Sequence, residues 1–135
     1  MKQRTIDALR RQRRSLEDAA RQDWAAREAH SEKLASLRAQ IEAAQPTRPP
    51  ATNAWQLRLG QGFQARLHGV LEQARSQEAQ AQAHAQAGQQ LYADRRRDLL
   101  AVERMQERLE ARRREDRQRQ EQHLLDDYSG YRHGR

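Results

Sequence analysis

The chain has 135 residues, enough for one small domain, yet 36% are hydrophobic, 4% aromatic and 33% charged. That mixture excludes a multilayer globular core, and no apolar run nears the roughly 20 residues that span a bilayer. With no cysteine there is neither a disulfide scaffold nor a thiolate metal site, and a net charge of +7 favours acidic partners.

Two of the 26 basic residues are lysines, Lys2 and Lys33, and the other 24 are arginines. Alanine, glutamine, arginine and glutamate dominate, and all propagate helices well. This composition reads as long helices or coiled coil where the apolar residues are periodic, as they are here. The charges alternate in sign along most of the chain, as on a solvated helix face. The stretch from Met1 to Arg14 is basic but lacks the apolar segment of a signal peptide, so the expected location is cytoplasmic.

The first predicted element is a helix from about residue 4 to about 45. Its seam steps by threes and fours through Ile6, Leu9, Arg13, Leu16, Ala20, Asp23, Arg27, His30, Leu34, Leu37 and Ile41. Both ends of that line are apolar and its middle is polar, with Trp24 beside it. All three prolines, Pro46, Pro49 and Pro50, fall in a hinge at 46–53. Proline lacks an amide donor and clashes with the preceding turn, so the chain turns there. Asn53 restarts a helix as its N-cap, and Gln56 three residues on suggests a capping box.

The second predicted helix spans about 54 to 125, followed by a flexible tail at 126–135. Its seam holds Phe63, Leu67, Val70, Ala74, Gln77, Ala81, His84, Gly88 and Leu91, then Arg95, Asp98, Val102, Met105 and Leu109. The expected fold is all-α, one domain of two long helices forming an antiparallel coiled-coil hairpin. Opposed positions should sum to about 100, which sets Leu37 against Phe63 and Arg13 against Gly88. In that register Leu99, Leu100, Val102, Met105 and Leu109 overhang the first helix. An exposed apolar stripe of this kind marks a partner site or a surface for self-association.

Nothing supports an enzyme. There is no glycine-rich phosphate loop and no nucleophile beside a base. No two of His30, His68, His84, His123 and His133 lie three or four residues apart, so no metal is expected, and no cofactor. Nucleic-acid binding rests on arginine density alone, at Arg10, Arg11, Arg13 and Arg14, at Arg95 to Arg97, and at Arg112 to Arg114. Neither a groove-fitting element nor stacking aromatics accompany it. A basic nucleic-acid-binding coiled coil and a generic oligomerising coiled coil stand as alternative readings.

Three features resemble the stalk proteins of type III export ATPases, the FliJ/YscO-like family of flagellar export and virulence injectisomes. They are the hairpin with a short mid-chain hinge, the opening Thr52-Asn53-Ala54-Trp55 leading to Leu59, Phe63 and Leu67, and the tail His123-Leu124-Leu125-Asp126-Asp127-Tyr128-Ser129-Gly130-Tyr131-Arg132. The short length and the tyrosines of the tail lean to the injectisome branch. The resemblance implies a non-enzymatic stalk whose two chain ends insert into a hexameric export ATPase and promote its assembly and turnover. It also implies contacts with the export-gate membrane protein and with export chaperones, at the inner membrane. On that basis Arg10, Arg11, Arg13, Arg14, Leu99, Val102, Met105, Leu109, Arg112, Arg113 and Arg114 are the candidate ATPase contacts. Trp55, Leu59 and Phe63 are the candidate gate or chaperone contacts.

Overall fold

The computed structural model describes residues 2–44 and 52–133. Nearly all of them belong to two helices, α1 at Gln3–Ala43 and α2 at Ala54–His133. The fold is all-α and the helices pair antiparallel, with no strand among the described residues. Pro46, Pro49 and Pro50 of the expected hinge lie outside the described residues. The start of α2 is capped as its sequence suggests. The Gln56 amide donates to Asn53 Oδ1 at 2.7 Å. The Gln56 side chain reaches back one residue further than a capping box requires, and accepts from the Thr52 amide at 3.0 Å. At the other end α2 runs on through His133, beyond residue 125 where the flexible tail is expected. Gly130 keeps ordinary backbone there, with no positive φ.

The chain divides into two compact units, Met1–Glu17 with Asp94–Arg135, and Asp18–Ala93. In the first unit, Arg113 donates to Gln3 Oε1 at 2.9 Å and Arg10 to Gln106 Oε1 at 3.2 Å, while Arg13 lies 3.8 Å from the Asp98 carboxylate. Opposed positions therefore sum to about 114, where the sequence reading sets about 100. The core of this unit is Ile6, Leu99 and Val102 with Glu17. Leu99 and Val102 are thus not an open stripe but the apolar packing that holds the first turns of α1. Leu109 is half-buried, and Leu100 and Met105, at 41% and 42% exposure, are the residues of that set left open.

In the second unit, Arg27 donates to the His84 carbonyl at 3.1 Å, and the rings of Trp24 and Tyr92 stack with centroids 5.4 Å apart. Ala20, Leu71 and Ala81 are its buried apolar residues. Ala20 and Ala81 are small enough to let the two backbones approach closely. Gly88 meets Arg27 and Trp24, not the expected Arg13. This unit keeps the same sum of about 114. The register lies about two heptads from the expected one, and a slip of whole heptads preserves the seam's phase.

One line of the predicted seam on α2 is correct. Leu67, Ala74, Ala81, Gly88, Arg95, Val102 and Leu109 are all buried or half-buried. Its companion line lies one residue further on, at Leu71, Glu78, Ala85, Tyr92, Leu99 and Gln106. Val70, Gln77, His84, Leu91, Asp98 and Met105, expected inside, are exposed. In α1, likewise, Trp24, Ser31 and Arg38 replace Asp23, His30 and Leu37.

Charges replace apolar contact where α1 ends. Arg38 donates to Glu78 across the pair and to Glu42 at 3.0 Å along α1, and Arg75 donates to Glu42 at 3.1 Å. The bonds from Arg75 and then Arg38 hold the Glu42 carboxyl below its ordinary value. Those to Glu78 and then Glu42 raise Arg38 above its own. A carboxyl with a lowered folded pKa stabilises the fold above its unfolded value, and loses that contribution as pH falls through the folded one. Glu42→Gln should therefore melt below the wild type at neutral pH. The gap in melting temperature should close as the solution is acidified below the ordinary glutamate range, 4.5. A gap that stays constant into acid would show that the network contributes through shape and not charge.

Candidate interaction surfaces

The first surface lies in the unit that carries both chain ends. A polar ladder crosses its two helices. Gln3 accepts from Arg113 and donates to Asp7 Oδ1 at 3.2 Å. Gln106 accepts from Arg10 and donates to the same Asp7 oxygen at 3.4 Å. One carboxylate thus orients two arginines on opposite helices through two glutamines. Open clefts flank the ladder. Asp7, Arg10, Arg11 and Arg14 line one, and Gln3, Glu110, Arg113, Arg114 and Arg117 line the other. Arg13 is turned inward to Asp98, so of the first predicted cluster Arg10, Arg11 and Arg14 face a cleft.

Arg11, Arg14, Arg112 and Arg114 form no ion pair or hydrogen bond with another described residue. Nor has α1 any acidic residue in its first turn, where Lys2 and Arg4 sit at the positive end of the helix dipole. An anionic surface docked here would gain from both the free guanidinium groups and the uncompensated helix end.

The second surface is the start of α2, in the other unit. Trp55, Leu59, Phe63 and Val70 are exposed by 69%, 55%, 47% and 50%. They share one side of the helix, and Leu57, also exposed, lies off it. In the observed register Ala43, the last residue of α1, comes level with about residue 71, so the first turns of α2 extend past it. The predicted contacts Trp55, Leu59 and Phe63 are therefore brought together on an accessible face.

Sequence reasoning missed two groups. One is Gln3, Asp7 and Gln106, which have no composition signal because their roles depend on the cross-helix register. The other is the exposed line Leu124, Tyr128 and Tyr131 with Leu125, whose four-then-three spacing was legible. The resemblance places it in the tail from His123 to Arg132.

Among the described residues no cluster of histidine, cysteine or carboxylate side chains is placed to hold a metal ion. No helix among them is long and apolar enough to cross a membrane. Two long helices paired antiparallel define a coiled-coil hairpin protein. The chain belongs to the flagellar FliJ protein family, whose model matches residues 3–135. It is thus a stalk-like structural component of flagellar or type III export. No curated protein and no solved structure matches the chain.

Proposed function

We propose that this protein is the central stalk of a type III export ATPase, a cytoplasmic protein stationed at the inner membrane. Its chain-end unit docks in the ring and promotes assembly and turnover. The start of α2, through Trp55, Leu59 and Phe63, contacts the export gate and export chaperones. The observation that carries the reading is the pair of arginine clefts, with Arg11, Arg14, Arg112 and Arg114 unneutralised by any described neighbour. Free guanidinium groups on two flanking helices suit an acidic ring lumen, and charge complementarity of this kind speeds docking. Met105, exposed, and Leu109, half-buried, belong to the same unit and supply apolar contact beside the charges. The proposal covers flagellar and injectisome branches alike.

The test is ATP turnover by the cognate hexameric ATPase with and without the protein at physiological salt. Stimulation is expected, and the Arg112, Arg113 and Arg114 to glutamate variant should lose it while keeping its helicity, because those side chains are exposed. No stimulation at any ratio would sink the reading. Binding to DNA or RNA that weakens steeply with salt would then favour the nucleic-acid alternative.

A further inference from the structure

From Arg112 to Arg132 every side chain of α2 is exposed, because α1 begins at Gln3, level with Arg113. A lone helix of roughly 20 residues is marginal in water, since packing of an apolar face supplies most helical stability. This one carries Leu124, Leu125, Tyr128 and Tyr131 at 70%, 63%, 64% and 66% exposure. Leu124, Tyr128 and Tyr131 form one line at steps of four and three, and Arg117 and Glu121 extend it backwards at the same steps.

We propose that residues 117–133 are a self-docking surface whose occupant is the same segment of a second copy, antiparallel, with the two-fold axis at Leu124. The order of side chains on the line selects that occupant. Around an axis at Leu124, each Leu124 meets its own counterpart and Leu125 packs beside Leu125. Tyr128 comes over Glu121 of the second copy, where its hydroxyl donates to the carboxylate. Tyr131 comes over Arg117 of the second copy, a guanidinium on an aromatic face. Along that line no like charges oppose one another; beside it, Glu121 comes level with Asp127 of the second copy. A parallel pair would set Arg117 on Arg117 and Glu121 on Glu121. A wholly acidic partner helix would suit Arg117 and repel Glu121, and a wholly basic one the reverse. The segment is complementary to itself, as a two-fold interface requires.

The inference does not rest on the ATPase reading: it describes the chain off the ring, since the same segment cannot hold a second copy while the chain-end unit is docked, and it is tested on the purified full chain alone. Light scattering should give about twice the 15.8 kDa of one chain as concentration rises. Leu124→Ser with Tyr128→Ser should return the mass to one chain with helicity retained up to residue 116. The chain has no cysteine, so introduced ones report cleanly. Leu124→Cys should form an intermolecular disulfide under mild oxidation. Arg117→Cys and Tyr131→Cys should fail singly and succeed together in one chain. A single-chain mass at millimolar concentration would overturn the proposal. So would equal crosslinking of all three single variants, which marks a parallel or random encounter.

Discussion

Replacing Leu99 and Val102 together by serine is expected to detach the first turns of α1. These two side chains and Ile6 are the buried apolar residues of the chain-end unit. Burying a leucine or valine is worth about 1.5–3 kcal/mol each, and a polar replacement leaves a cavity as well. The pair should therefore cost about 3–5 kcal/mol. The remaining contacts are the glutamine–arginine ladder and the Arg13–Asp98 pair, exposed polar interactions worth about 1 kcal/mol or less each. They cannot make up the difference. Amide exchange should accelerate across residues 3–17, with a matching loss of helical ellipticity. The control is Leu100→Ser with Met105→Ser. Those side chains are 41% and 42% exposed, and the double variant should stay within about 1 kcal/mol of the wild type. The open-stripe reading from sequence expects the opposite order, with Leu99 and Val102 dispensable for folding and needed for binding.

The contrast between those variants shows where the sequence was legible. Helix type and the antiparallel pairing follow from helix-forming composition, a break at three prolines and apolar residues at steps of three and four. Asn53 announced its cap through the spacing to Gln56. The line through Leu67, Ala81, Gly88 and Val102 was also readable. Its companion line was ambiguous. Val70 and Leu91 compete with Leu71 and Tyr92 one residue away, as Asp98 and Met105 do with Leu99 and Gln106, and a heptad count cannot choose between them. Pairing across the two helices chooses. Trp24 stacks on Tyr92, and Arg38 reaches Glu78. Register was harder still, since a slip of two heptads keeps leucines, alanines and arginines at equivalent phases. The apolar cluster at the start of α2 is legible because its residues lie close in sequence. The Gln3–Asp7–Gln106 ladder was invisible because its members lie about one hundred residues apart.

Gly88 tests that register. A Cβ added there would lie 3.0 Å from Arg27 Cδ and 3.4 Å from Trp24 Cα. The first contact is to a flexible side chain that can swing aside, and the second is ordinary van der Waals distance to backbone. Gly88→Ala also removes the backbone freedom of a mid-helix glycine, worth about 1 kcal/mol in favour of alanine. Alanine should accordingly be neutral or slightly stabilising. Gly88→Leu has no such escape, because its outer carbons must enter the space held by the α1 backbone at Trp24. Overpacking of that kind costs about 1–3 kcal/mol, and displacing Trp24 from Tyr92 forfeits a further stacking contribution of about 1 kcal/mol. Thermal melts of the two variants against the wild type give the order. Truncating the neighbour then identifies which residue is there. Arg27→Ala should recover part of the loss in Gly88→Leu, whereas Arg13→Ala should recover none, as Arg13 is engaged with Asp98 in the other unit. Rescue by Arg13→Ala and not by Arg27→Ala would restore the register in which opposed positions sum to about 100 and would overturn the pairing described above.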